Sequence, residues 1–466
     1  MMGSHEVDVL VIGGGIAGLS AVYRLANEDP SSRIAMLEAD AHPGGKMKQE
    51  TFADGHCVDV GPDAIWVRSP AVERLLGDLG IGTPAVRPVN SATGILHNGT
   101  VIPLPSGIVA GIPTDVDAAK RAGLLSNRGA LRASREAKHL ASRHAKDCSV
   151  FDAVEEHLGT EVAERIVDPL VGGIAAGNTR ELSLQATAPM LYALYAEGKP
   201  FLSTLSRTTG RLDGLATFDP DGVSVLVDAC CAAVADRVEM NFSSPVTAMS
   251  RISGKWHVRS GDNEWTAAEV ILAVPAPVAG ALLAKDHPHV RAALESIPYA
   301  SVTTVTLALD SCEWTPHSVP GFVVPRTEGE LVTAVTCLSE RWTHHRKNDT
   351  VYVRCSVGRI DDTRHEELSD ADLAYRVHET VERLFNVHAP LREAIVHRWE
   401  NALPQYTVGH RDRIVCCIPL RDTGVECIGA AYSGIGISSC IEQADAAVER
   451  IVQRRTAARS LTGVLA

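Results

Sequence analysis

The chain has 466 residues, 45% of them hydrophobic and 22% charged, with a formal net charge of −13. That length buries a large core and divides into two or more domains, and the composition is that of an ordinary globular protein. The acidic surplus argues against general nucleic-acid binding, and no apolar run approaches the length of a transmembrane helix.

Val7-Asp8-Val9-Leu10-Val11-Ile12 opens the chain as a predicted strand, and Gly13-Gly14-Gly15-Ile16-Ala17-Gly18 follows it directly. Leu19, Tyr23 and Leu25 give a helix face, Ile34-Ala35-Met36-Leu37 a second strand, and Glu38 stands twenty residues beyond Gly18. Strand, glycine turn, helix, strand and acid form the layout of a dinucleotide site. Gly13 allows the sharp turn, Gly15 lets a pyrophosphate approach the backbone, and Gly18 lets the helix pack on the sheet. The helix N-terminus offers free N–H groups to phosphate, and Glu38 can accept from ribose hydroxyls. The alternative, a tight turn without a ligand, is disfavoured because strand, helix and acid are all in place. The first apolar run is too short for a signal peptide and contains Asp8, so no targeting segment is expected.

Pro43-Gly44-Gly45-Lys46 forms a second glycine turn with a cation beside it, just past Glu38. Lys is a point charge without the fork of Arg, so it would meet a diphosphate less geometrically. Val58-Asp59-Val60-Gly61-Pro62-Asp63 predicts a short strand entering a third turn, and residues 70 to 80 an amphipathic helix closed by Gly80. Arg68 lies between them as a candidate anchor for a substrate carboxylate, with a solvated surface arginine equally compatible. Residues 115 to 145, rich in Ala, Leu, Lys and Arg, predict helix, as do residues 150 to 168. Between 120 and 146, Lys120, Arg121, Arg128, Arg132, Arg135, Lys138, Arg143 and Lys146 stand against Glu136 alone. That run reads as a solvated charged face, with contact to an anionic membrane or an acidic partner as the sharper alternative.

Val270-Ile271-Leu272-Ala273-Val274-Pro275 predicts an apolar strand returning to the nucleotide domain. Residues 302 to 309 and 351 to 357 alternate apolar and polar side chains, as antiparallel half-buried strands do. Glu426-Cys427-Ile428-Gly429 is another short strand, and Gly434 opens a turn into a last helix. The eleven cysteines are scattered and include no CxxC pair, so neither zinc nor a redox dithiol is expected, and reduced, buried thiols in a cytoplasmic enzyme account for them. The expected fold is α/β. A discontinuous Rossmann-like nucleotide domain spans 5–85, 215–278 and 396–460, and an α+β substrate domain with an antiparallel sheet spans 86–100 and 279–395. A helical insertion spans 101–214.

Four stretches carry a further likeness: Val60-Gly61-Pro62-Asp63; Asp168-Pro169-Leu170 through Gly177 with Leu182-Ser183-Leu184; Trp399 through Tyr406 with Gly409-His410; and Tyr432 through Ile437 with Cys440-Ile441. With the glycine turns they resemble the FAD-dependent amine oxidase superfamily, and within it the protoporphyrinogen and coproporphyrinogen oxidases of haem synthesis, over nearly the whole chain. The resemblance implies non-covalent FAD enclosed by both ends of the chain. Its contacts would be Gly13, Gly15, Ile16, Ala17, Gly18, Glu38, Ala39, Gly45, Lys46, Gly61, Pro62, Asp63, Val246, Trp399, Gly429, Gly436 and Ile437. Val246 would meet the adenine through its strand, and Gly434-Ile435-Gly436-Ile437 would close over the flavin ring. It implies a porphyrinogen substrate, oxygen as electron acceptor, and no resident metal. Contact with a membrane surface or a haem-pathway enzyme is left open, as is the oligomeric state. The departures are Lys46 where Arg is frequent, Ala175 where Tyr is frequent, Ser439 where Asp is frequent, and Phe218-Asp219-Pro220-Asp221-Gly222 in place of a Gly-Gly turn. They favour an alternative substrate class, an amine or other small molecule of a specialised pathway. His410 and Tyr406 read as packing and hydrogen-bonding residues rather than an acid–base pair.

Overall fold

The computed structural model describes residues 3–82, 85–138, 146–207 and 214–464. Its central element is a seven-stranded sheet in which Gly3–Ile12 lies between Ile34–Leu37 and Asn263–Leu272, with Val238–Asn241 outside Ile34–Leu37. All four run parallel. The far half of Asn263–Leu272 pairs in parallel with Val425–Cys427, and its near half continues antiparallel into Lys255–Ser260 and Val246–Ile252. Ile12, Leu37, Asn241, Leu272 and Cys427 are therefore in register at the carboxyl ends of five parallel strands. The turns beyond such ends form a crevice where open α/β sheets take ligands.

Both faces of this sheet are covered, which is why Val9, Leu10, Val11, Ala35 and Met36 are buried without alternation. Ile16–Glu28, Val225–Val234 and Ile437–Val464 pack on one face, and Ala276–Leu283 and Pro288–Glu295 on the other. The expected start of the second domain at 279 thus falls inside a helix that packs on the nucleotide sheet.

A second seven-stranded sheet runs Leu391–Pro404, Tyr299–Asp310, Thr350–Val357, Val332–Cys337, Gly321–Val323, Gly94–His97, Thr100–Pro103. Only the Gly321–Val323 and Gly94–His97 pair is parallel. The two alternating runs expected as antiparallel strands pair directly, Thr303 opposite Val357 through Asp310 opposite Thr350. Val305, Leu307, Val353 and Cys355 face the helix Asp370–Phe385, while Ala308, Tyr352 and Ile395 meet Phe52, Val58 and Val60 on the other face. Leu391–Pro404 pairs with Tyr299–Asp310 for most of its length, so a boundary at 396 cuts a strand of this sheet. The boundary at 101 likewise cuts Thr100–Pro103.

The helical block surrounds a third core. The long helix expected over 115 to 145 is instead Val116–Arg121, Asn127–Ala133 and a short 3-10 turn Glu136–Lys138, with residues 139–145 outside the described residues. Gly123 at φ +88° ends the first, and the Ser126 hydroxyl caps the second by accepting the Gly129 N–H. Residues 150 to 168 divide at Gly159, φ +92°, after which a π-helix, Ala163–Gly172, carries Pro169 inside it. Glu136 is buried, where it accepts from the Phe201 and Leu202 N–H groups and pairs with His157 at 3.0 Å. It offsets none of the surrounding surface charge: Lys120, Arg121, Arg128, Arg135, Lys138 and Lys146 are exposed. Arg132 turns inward to cap the end of Val150–Leu158 through the Glu155, Glu156 and His157 carbonyls, and Arg143 lies outside the described residues. Among the described residues no helix is long and apolar enough to cross a membrane. All eleven cysteines are free; Cys57 and Cys312 are exposed, against the expectation that they are buried.

Several buried histidines are held neutral, and this sets an acid limit on the fold. Burial pushes His56 down to about 4, His345 to about 2 and His410 to about 4. The unfolded chain takes up these protons below about pH 6.5 while the native state refuses them, so stability falls as pH drops from 6.5 through 4. Asp59 acts oppositely: burial raises it to about 7, so its contribution improves as pH falls from 7 to 4. Three histidines outweigh one carboxyl. The expected result is a thermal midpoint that drops steadily between pH 6.5 and 4, measured by circular dichroism in matched ionic strength. A flat profile over that interval contradicts the assignment.

Candidate functional site

The glycine turn leaves the first strand at the centre of the crevice. Gly13 has φ +106°, and a Cβ there would sit 2.4 Å from the Ala273 carbonyl oxygen. A Cβ on Gly18 would sit 1.9 Å from the Gly13 oxygen. Both glycines are therefore required by protein contacts. Gly15 differs: a Cβ there meets nothing nearer than the Gly45 Cα at 4.0 Å, so it would project into open space. Glu38, just beyond the second strand, accepts from the Gly14 N–H and, at 2.8 Å, from the Asp40 N–H. Its backbone is held by the Asn241 carbonyl and the Ser244 N–H, which brings the chain entering Val246–Ile252 against it; Val246 is half-buried and Ala39 exposed.

The second glycine turn docks on the first. The Gly44 N–H donates to the Gly14 oxygen at 2.8 Å, and Gly15 and Gly44 form a parallel bridge. Lys46 extends from this turn into the interior near Cys440, and burial lowers its pKa. No hydrogen bond or ion pair to its ammonium is made among the described residues.

The far end of the chain faces the same space. A Cβ on Gly429 would lie 4.0 Å from the Ala17 side chain, and one on Gly436 would meet nothing within 4 Å. Between them the loop is pinned by Tyr406, whose hydroxyl donates to the Ala430 oxygen at 2.6 Å and accepts from the Gly434 N–H at 2.8 Å. The His410 ring stacks on Tyr406 at 4.0 Å. It is fully buried, kept neutral by its burial, and faces the Ala431 and Tyr432 carbonyl oxygens without completing a hydrogen bond. Replacing Tyr406 with Phe removes both loop bonds while keeping the stack. At about 1 kcal/mol net per bond, FAD retention is expected to weaken about 10- to 30-fold with little change in melting temperature. The check is a titration of the apoprotein with FAD; unchanged affinity would show that the loop holds itself.

The third turn is clamped from the second sheet. The Val60 oxygen accepts from the Thr304 hydroxyl at 2.8 Å and the Trp399 indole at 3.0 Å, and Gly61 abuts the Lys46 carbonyl, where a Cβ would sit 2.0 Å away. Arg354 donates to the Gly61 oxygen at 3.1 Å and pairs with Asp63 at 3.1 Å. Burial alone would raise the Asp63 carboxyl, but the Arg354 and Arg341 guanidiniums hold it at about 2. Asp59 lies behind the same turn, 5% exposed, with Oδ2 accepting the Val223 N–H and Oδ1 unpartnered. Gly222 is needed there, because a Cβ would sit 2.2 Å from that carboxylate.

The structure thus brings Gly13, Gly15, Ile16, Ala17, Gly18, Glu38, Gly45, Lys46, Gly61, Gly429, Gly436 and Ile437 around one crevice. Pro62, Asp63 and Trp399 stand where the second sheet meets it. Arg68 is exposed on the rim, its side chain against Gly214, and the preceding Trp66 carbonyl accepts from Ser438 of the last helix. The sequence reading did not single out Arg354 or Thr304; each sits in an alternating strand as one polar residue among several. The glycine cradle, the open space at Gly15 and Gly436, and the half-buried Lys46 fit an extended anionic cofactor that spans both chain ends.

The profile of the flavin containing amine oxidoreductase family matches residues 16–452. This chain belongs to that family. It is an FAD-dependent oxidoreductase. It is 30% identical to the coproporphyrinogen III oxidase of Bacillus subtilis strain 168, over 96% of this chain and 98% of that protein. It is 27% identical to the coproporphyrinogen III oxidase of Staphylococcus aureus strain NCTC 8325 / PS 47, over 95% and 98%. The crystal structure of an Exiguobacterium sp. 255-15 protein, provisionally named protoporphyrinogen oxidase, superposes with a TM-score of 0.83 at 29% identity, covering 97% of this chain and 100% of that one. The family and the resemblance drawn from the four stretches agree.

Proposed function

We propose that this flavoenzyme oxidises a porphyrinogen, with coproporphyrinogen III as the leading substrate, and that oxygen takes the electrons with release of hydrogen peroxide. The observation that carries the reading is the likeness to coproporphyrinogen III oxidases along nearly the full length of both chains. FAD, held without a covalent bond, supplies hydride acceptance. The first glycine turn and the start of the first helix would hold its diphosphate, and Glu38 its ribose. Lys46 would neutralise phosphate charge, and Val246 would border the adenine. The Gly429–Gly436 loop, braced by Tyr406, would cover the ring.

No strongly basic side chain is called for at the reacting carbon. The buried neutral His410 and the Tyr406 hydroxyl, engaged at both of its bonds, support roles in shape rather than proton transfer. Ile174, 71% exposed in the turn before Gly177, and Trp66, 45% exposed beside Arg68, offer apolar surface for a macrocycle with a cation at its edge. A cytoplasmic enzyme with an exposed basic face is consistent with this reading. The second reading, a desaturase of another small molecule, is favoured by the small side chain of Ala175, where the family often has Tyr.

The test is anaerobic addition of coproporphyrinogen III and of protoporphyrinogen IX to the holoenzyme, following the oxidised flavin band near about 450 nm. Bleaching, with peroxide formed on admitting air, is the expected result. A flavin that stays oxidised with both substrates overturns the porphyrinogen reading.

A further inference from the structure

The turn Ala175–Gly177 is fixed from two sides. Gln405, the neighbour of Tyr406, donates from Nε2 to the Ala175 oxygen at 2.8 Å. From the second sheet, the Ile360 N–H donates to the Ala176 oxygen at 2.9 Å, and Arg326 donates to the Gly177 oxygen. The turn therefore lies between the segment after Leu391–Pro404, whose Tyr406 braces the Gly429–Gly436 loop, and the loop that follows Thr350–Val357.

Two arginines stand on that sheet side, and they differ in how their charge is met. Arg326 is charge-paired: it meets Asp168 at 3.3 Å and Asp361, besides its bond to Gly177. Arg359 is half-buried, and among the described residues its guanidinium donates to the Val324 oxygen alone. No carboxylate lies within ion-pair distance of it among the described residues; Asp168, Asp361 and Asp362 act on it only from farther off, and Arg326 opposes its charge. Burial and that like charge both lower its pKa. A guanidinium has five N–H donors, and here one is used. Partly desolvated, beside another cation, with donors to spare, it is the setting in which an anion from solution binds.

We propose that Arg359 binds a carboxylate of the substrate and selects for macrocycles bearing acid side chains on the edge that meets the Ala175–Gly177 turn. The inference rests on the porphyrinogen reading and deepens it. Arg68 and Arg359 stand on separate elements, the first beside the last helix, the second in the loop after Thr350–Val357. Coproporphyrinogen III carries a propionate on each of its four rings, whereas protoporphyrinogen IX carries propionates on two neighbouring rings and vinyl groups on the others. A molecule held by its paired propionates at Arg68 presents a carboxylate to Arg359 only in the first case.

The experiment compares the holoenzyme with Arg359→Met, Arg359→Gln and Arg359→Lys. Steady-state kinetics are run on both porphyrinogens, and affinity for air-stable coproporphyrin III is measured by fluorescence quenching. Loss of one charge-assisted contact is expected to raise KM for coproporphyrinogen, and Kd for coproporphyrin, about 10- to 100-fold in the Met and Gln forms. kcat and the protoporphyrinogen KM stay near the parent values, and Lys recovers part of the loss. Equal changes for both substrates, or none, overturn the proposal. If the Met form does not fold, the Gln and Lys forms decide by the same ratio. A parent enzyme that oxidises neither substrate instead defeats the porphyrinogen reading, and is seen before any variant is made.

Discussion

Gly15→Ala is expected to give a protein that folds and melts like the parent but does not retain flavin. The added methyl touches no protein atom closer than the Gly45 Cα at 4.0 Å, and Gly15 has φ −73°, which alanine adopts freely. Its whole effect falls on whatever occupies the space beyond the first glycine turn. If that is the FAD diphosphate, the methyl prevents backbone approach and removes the N–H contacts that a helix start gives to phosphate. Overpacking at such a contact costs about 3 kcal/mol, roughly a 100-fold loss of affinity. Purified protein should be colourless, with an unchanged melting curve in the absence of added FAD.

Gly18→Ala is the control that separates the two jobs of the turn. Its Cβ would lie 1.9 Å from the Gly13 oxygen, so the first helix must move off the sheet. That variant should lose both flavin and several degrees of stability. If Gly15→Ala keeps its flavin, the cofactor does not pass over this turn.

The contrast between these two glycines explains what the sequence discloses. The dinucleotide turn is legible because its requirements are local: a strand, Gly13, Gly15 and Gly18 at fixed spacing, and an acid at the end of the next strand. The reading of the far chain end rested on small residues around Gly429 and Gly434, whose φ values of +119° and +116° only glycine tolerates well. Helix propensity misled where it was strongest. The Ala- and Arg-rich stretch after 115 is divided by one left-handed glycine and one serine cap, and Glu136, the one acid between 120 and 146, is buried as a cap for another helix. Alternation marks residues 302 to 309 and 351 to 357 as strands, and these pair directly, but Leu391–Pro404, which pairs with the first of them, is not marked as a strand, and the expected boundary at 396 runs through it. Pairings over hundreds of residues, such as Arg354 with Gly61 or Gln405 with Ala175, leave no local trace.

Arg354 is where such a long-range contact should matter most. Arg354→Met is expected to destabilise the protein by about 3 to 5 kcal/mol, the usual consequence of stripping a buried charge of its partner. The guanidinium is 14% exposed, and its loss leaves Asp63 with the Trp342 indole at 3.4 Å and the nearby Arg341 charge, while the Gly61 oxygen loses its donor. The pH dependence distinguishes this from a simple packing defect. In the parent, Asp63 titrates at about 2, below the ordinary carboxylate value near 3.9, so it stabilises the fold above that value and the contribution is lost only as pH falls toward 2. In the variant, uncompensated burial raises the carboxyl instead, and protonating it relieves the strain of an unpaired charge. The stability gap between parent and variant should therefore narrow as pH is lowered from 7 to 4. Adding Asp63→Asn to Arg354→Met should recover part of the loss at pH 7, because a neutral amide needs no counter-charge. Urea denaturation of the three proteins at both pH values measures this directly. A gap independent of pH, with no recovery in the double variant, would mean that Arg354 holds the turn by its shape and its carbonyl bonds alone.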